Sequence, residues 1–151
     1  MPGRGRDRPA HGAPRRPGGG GRVSAPGRPA VLAAVAAGGV VGAEVRWLLG
    51  LVGPPAPWTT LVINVTGCLL MGVLMVLVTE RFRAHPLVRP ALGVGVLGGY
   101  TTFSTYAVDV AAPAFGSPGS LALMVGTPVL AVAATALGAT LTRALAGGGA
   151  R

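Results

Sequence analysis

G-V-G-V-L-G-G-Y-T-T-F-S-T-Y, residues 93–106, sets four glycines ahead of a run of hydroxyl-bearing side chains inside an otherwise apolar stretch. Two folds compete for it. Gly93, Gly95 and Gly98 spell G-x-G-x-x-G, which in a dinucleotide-binding domain follows a strand, opens a soluble helix and precedes an acidic residue about twenty positions on. That context is missing here, because the flanking sequence reads as lipid-soluble on both sides. The competing fold is a membrane helix interrupted near its middle, and the rest of the chain favours it.

Half of the 151 residues are hydrophobic, 11% are charged and 26 are glycine, with a mean hydropathy of +0.60. This is the balance of a membrane protein rather than of a soluble domain. All 13 Lys-or-Arg positions are Arg, and the net charge is +9. Seven of them (Arg4, Arg6, Arg8, Arg15, Arg16, Arg22 and Arg28) lie among Pro and Gly without aromatics that stack on bases. Such a segment reads as a disordered cytoplasmic tail, not as a nucleic-acid module. Cys68 is the sole cysteine, so neither an internal disulfide nor metal-ligand spacing is available.

Four apolar runs follow, at about 30–52, 58–79, 88–112 and 120–142, each near the ~20 residues that cross ~30 Å of hydrocarbon. The fold predicted is all-α, a four-helix membrane unit whose third helix is broken near mid-membrane. Residues 1–29 form the tail, 30–143 the membrane domain and 144–151 a flexible end. The first run is too long, and its leader too extended, for a cleaved signal peptide. With four spans, the tail, the loop after the second span and the C-terminus share one side. That side holds twelve arginines (the seven above with Arg81, Arg83, Arg89, Arg143 and Arg151), and the opposite loops hold none. The positive-inside rule then puts both termini in the cytoplasm of a multi-pass plasma-membrane protein.

Small residues recur at helix-contact spacing: Gly38 with Gly42, Gly67 near Gly72, and Ala134 with Gly138. These predict close helix packing in lipid. Asn64, within the second span, opens an unreachable glycosylation sequon. Its amide either bonds another helix or marks a pathway. Glu44 and Arg46, two residues apart, face different directions on a helix; each either snorkels to the interface or belongs to a relay.

In the opening stretch, glycines permit backbone that other residues avoid, so G-V-L-G-G-Y-T-T can interrupt a helix. An interruption frees carbonyls, which are ligands for a cation such as Na⁺ where buried backbone lines a cavity. Phe103 and Tyr106, three apart, share a helical face. Their electropositive ring edges suit an anion, while core aromatics with hydroxyls bonded back to the helix remain the alternative.

Taken together, GGVVGAEVRW (38–47), LVINVTGCLLMG (61–72) and GGYTTFSTYAVD (98–109) resemble, in order and spacing, the signature segments of the Fluc (CrcB) fluoride channels. The likeness spans about residues 30–142. It implies an antiparallel dimer that exports fluoride passively through two pores around a structural Na⁺. Within the resemblance Asn64 matches the pore asparagine, Phe103 and Tyr106 the aromatic pair, and Thr127 the hydroxyl track of the fourth span. Gly98 and Thr101 match the backbone-carbonyl ligands of sodium, and Arg46 and Asp109 match supporting positions. This chain departs from the family in Tyr106 where Phe is usual, in Pro128 inside the fourth span, and in lacking a tyrosine near 123–124.

Twelve arginines against none also bear on assembly. An antiparallel homodimer must insert both ways, which calls for balanced loops. The family includes paired genes whose products each insert one way, and this chain is expected to join a homologous, oppositely oriented subunit. No nucleophile–base pair, paired carboxylates or metal cluster points to an enzyme. The competing functions are a small multidrug-type proton-coupled transporter using Glu44, and a silent subunit that only supplies the sodium site.

Overall fold

The computed structural model describes residues 26–82, 84–112 and 117–147. Positions 1–25 of the expected tail, Arg83, and the last four positions of the chain lie outside the described residues. Helix α1 (Arg28–Val52) starts behind Gly27 with Pro29 in its first turn, where a missing N–H costs nothing. It stops at Gly53-Pro54, the Gly53 N–H closing onto the Leu49 carbonyl at 2.8 Å. Helix α2 (Trp58–Val76) continues through a π-helical turn, Leu77–Arg81. After a short connection come a π-helical run, Arg89–Leu97, and a single α turn, α3 (Gly98–Tyr100). Helix α4 (Phe103–Ala111) completes this third span, and α5 (Pro118–Gly147) ends the described fold. Ser117 caps α5, its hydroxyl accepting from the Ser120 N–H at 3.2 Å.

Three helical stretches, Arg28–Val52, Trp58–Glu80 and Pro118–Gly147, are long and apolar enough to cross a membrane, with mean hydropathies of 1.5, 2.5 and 1.9. The third expected span, 88–112, is helical in two pieces separated by Thr101 and Thr102. The elements associate as two pairs: α1 lies along the π-helical run and α3, and α2 lies along α5, whereas α1 and α2 barely meet. Glycine makes both pairs close. A Cβ on Gly42 would stand 2.0 Å from the Val96 carbonyl oxygen, and one on Gly38 2.3 Å from that of Ala91. On the other pair, a Cβ on Gly72 would stand 2.1 Å from the Thr135 carbonyl oxygen and one on Gly138 2.3 Å from that of Leu69. The small-residue expectation therefore holds, because backbone packs on backbone where lipid supplies no hydrophobic drive between helices.

The interruption falls within the expected G-V-L-G-G-Y-T-T, but at its threonines and not at its glycines: Gly98 keeps helical dihedrals (φ −67°, ψ −36°). Extended backbone appears only at Thr101 (φ −77°, ψ 157°) and Thr102 (φ −145°, ψ 120°), a region any residue adopts. Gly99 instead serves proximity, since a Cβ there would stand 2.4 Å from the Gly39 carbonyl oxygen. Few side chains are fully covered: Ile63, Val76, Leu97, Val110 and Ala134 are the buried apolar residues among those described, while Trp47, Leu51 and Phe103 are exposed. Outward apolar faces are what a bilayer solvates. At one end Arg143 forms a forked pair with Glu80, Nη2 to Oε1 at 2.7 Å and Nε to Oε1 at 3.0 Å, tying α5 to the end of the α2 extension.

Candidate functional site

The break in the third span is held from across the molecule by Asn64. Its amide engages both backbone polar groups of Thr102: the Thr102 N–H donates to Asn64 Oδ1 at 2.8 Å, and Asn64 Nδ2 donates to the Thr102 carbonyl at 3.0 Å. Both residues are buried, so each bond replaces one that water cannot supply. In an unbroken α-helix the Thr102 N–H would serve the Gly98 carbonyl, and the Thr105 N–H would serve Thr101. The first is taken by Asn64. The second goes to the Thr102 hydroxyl at 3.2 Å, which caps α4. The carbonyls of Gly98 and Thr101 are thus among those that the break leaves without helical donors. The Thr102 hydroxyl in turn donates to Thr105 Oγ1 at 3.0 Å.

A second brace stands two residues along α2. Thr66 donates its hydroxyl proton to the Val62 carbonyl at 2.7 Å, so the 2.9 Å contact with Tyr100 has the tyrosine as donor. The Tyr100 ring and the Thr101 methyl fill the space beside Gly67, where a Cβ would come within 3.0 Å and 2.5 Å of them respectively.

Beside the break lies a cleft of about 280 Å³. Asn64, Phe103, Tyr106 and Thr127, four residues singled out from the sequence, line it together with Thr101 and Thr102. The Phe103 and Tyr106 rings are 5.6 Å apart between centroids and tilted by 52°, so they do not stack face to face. Asn64 and Thr127 are buried, whereas Phe103 is 80% exposed in the single chain. The Asn64 amide has a second N–H that finds no acceptor among the described residues. A buried amide, a buried hydroxyl and two aromatic rings therefore border one concavity with a largely apolar wall, groups whose dipoles are of the kind that suit a small anion.

The remaining residues occupy neighbouring positions. Arg46 is half-buried and lines a separate cleft of about 410 Å³, together with Thr60, Ser104 and Thr105; only Thr102 borders both clefts. Glu44 is exposed and takes no part in the Arg46 cleft. Asp109 borders a small cavity that it shares with Tyr106 and Thr127, and its Oδ2 is buried without a hydrogen-bond partner among the described residues. Gly98 is exposed, and a Cβ there would make only an ordinary contact with the Gly93 carbonyl oxygen, at 3.9 Å. Sequence reading missed Thr102 as the clamped residue, the Thr66–Tyr100 brace, and Cys68, which is half-buried in the cleft wall. Of these only Thr102 carried a local sign, a threonine immediately ahead of a helix with a hydroxyl three residues on.

The model of CrcB-like protein, Camphor Resistance (CrcB), matches residues 33–142. The fluoride-specific ion channel FluC 1 of Streptomyces coelicolor is 46% identical over 138 residues, covering 83% of this chain and 89% of that protein. FluC 2 of Thermobifida fusca, also a fluoride-specific ion channel, is 49% identical over 122 residues, covering 78% and 86%. FluC 2 of Nocardia farcinica is 50% identical over 97 residues, covering 58% and 69%. These relatives are ion channels rather than enzymes, in line with the reading from sequence. With a family match over most of its length and relatives this close, the chain belongs to the CrcB/FluC family of multi-pass membrane proteins, the fluoride-specific ion channels.

Proposed function

We propose that this chain is a subunit of a fluoride channel that lowers cytoplasmic fluoride by passive export, and that the cleft beside the helix break is part of its ion path. The observation that carries the proposal is the meeting of Asn64, Phe103, Tyr106 and Thr127 around one concavity. Fluoride is small, strongly hydrated and an avid hydrogen-bond acceptor. Losing its water requires donors: the spare Asn64 N–H and the Thr127 hydroxyl supply them, and the ring edges of Phe103 and Tyr106 supply weaker positive potential. A field built from dipoles admits the ion yet lets it leave. Arg46 sits one cleft away, where its charge raises the local anion concentration without standing in the path.

Sodium fits the other product of the break. The Gly98 and Thr101 carbonyls, whose helical donors are diverted, are hard oxygen ligands of the kind Na⁺ takes, and Gly98 lies on an exposed face. These two residues would hold the ion, which supplies positive charge at the join of two subunits. The assembly proposed is an antiparallel dimer. The arginine bias supports a single orientation with both termini cytoplasmic, and so a homologous partner of opposite orientation.

Electrode-monitored fluoride efflux from liposomes, run against chloride and with and without the co-expressed partner, tests the proposal. Fluoride efflux far above chloride in the paired sample is expected. Absence of fluoride flux in both samples would sink it.

A further inference from the structure

Two departures from the family pattern, Tyr106 and Pro128, meet in the structure. Pro128 lies inside α5. An unbroken helix would have residue 128 donate to the Met124 carbonyl, and proline has no N–H to give. The Tyr106 hydroxyl donates to that same Met124 carbonyl at 2.5 Å, from 18 positions back in the chain. Tyr106 and Pro128 also line the same cleft. An orphaned carbonyl inside a membrane is costly, so a donor arriving from a neighbouring helix at this one acceptor answers a specific deficit.

We infer that Tyr106 and Pro128 form a compensating pair: the tyrosine hydroxyl satisfies the carbonyl that the proline orphans, and this bond fixes the second ring of the cleft. The hydroxyl is thereby committed to α5 and withheld from the anion, so the ring meets the cleft as a phenylalanine ring would. Tyr106 acts here as a positioning residue whose orientation depends on Pro128. The inference rests on the proposed role of the cleft as an ion path for its functional half, and on the Met124 bond alone for its structural half.

A double-mutant cycle separates the two halves. The unaltered chain, Tyr106→Phe, Pro128→Ala and the double variant are each reconstituted with the co-expressed partner. Each is read by fluoride efflux, by the fluoride-to-chloride ratio, and by thermal unfolding in detergent followed through tryptophan emission. Tyr106→Phe alone is expected to lower efflux and the fluoride-to-chloride ratio about five- to tenfold, the worth of one hydrogen bond. It also unfolds at a lower temperature. The double variant recovers both, because alanine in place of Pro128 restores the backbone N–H and a bare ring then needs no tether. A loss that is the same in both backgrounds, or no loss from Tyr106→Phe while Pro128 is present, would overturn the pair. If coupling persists in unfolding temperature but no sample conducts fluoride, the pairing stands and the ion-path reading falls. If flux persists with additive unfolding effects, the pairing falls and the ion path stands.

Discussion

The Asn64 amide divides its atoms: Oδ1 and one N–H hold the Thr102 N–H and carbonyl, and the other N–H, which finds no acceptor among the described residues, is the donor that the proposed ion path calls on. Asn64→Ala removes the partners of both the N–H and the carbonyl of buried Thr102 at once and is expected to destabilise the chain by about 2–5 kcal/mol, with loss of fluoride flux. Thermal unfolding and efflux measured together check this. Asn64→Asp is the sharper variant: it keeps an acceptor for the Thr102 N–H but, ionised, donates nothing, so flux should fall further than stability. Glu44→Gln should leave flux unchanged, since Glu44 is exposed and outside the clefts that hold the donors; a dead channel from that substitution would revive the transporter reading. That Asn64 mattered was legible from an amide in an apolar run. Its partner was not, because Thr102 lies 38 positions away and is contacted through its backbone, which leaves no mark on residue type.

The third span draws its form from neighbours more than from its own sequence. Glycines at 98 and 99 invited a break at that point, yet they remain helical, and the chain leaves the helix at Thr101 and Thr102, where Asn64 claims both backbone groups of Thr102 and the Thr102 hydroxyl claims the N–H of Thr105. Propensity allowed the interruption, and tertiary hydrogen bonding located it. Elsewhere glycine spacing was a faithful guide, because a Cβ facing a neighbouring carbonyl is a steric fact that sequence spacing encodes directly. Gly72→Ala should separate α2 from α5, since its Cβ would stand 2.1 Å from the Thr135 carbonyl oxygen. A loss of about 1–3 kcal/mol in unfolding free energy is expected. Gly98→Ala meets nothing nearer than the Gly93 carbonyl at 3.9 Å. It should leave the single chain's unfolding temperature unchanged, and a penalty that emerges only on adding the partner subunit would put this face at the join.

At the scale of the molecule, two helix pairs with a sparse seam between α1 and α2 make an unusual unit. Its apolar faces point outward, and its polar cross-links include the Asn64 clamp, the Tyr100 brace and the Tyr106–Met124 bond. Charge then bears on how such a unit inserts. Arg143 is engaged by Glu80, but the topology rule counts basic residues rather than net charge, so the pair leaves the bias intact. A subunit that formed antiparallel dimers with itself would have to reach the membrane in both orientations. With twelve arginines assigned to one side and none in the loops of the other, where only Arg46 within α1 lies nearby, the expectation is one orientation only. A C-terminal fusion to a reporter that fluoresces only in the cytoplasm should be bright, and the matching fusion to a phosphatase that works only outside should be inactive. Substantial signal from both fusions would mean dual insertion, and would return the homodimer to first place. A single orientation would leave the antiparallel assembly dependent on a second chain, because no copy of this one would face the other way.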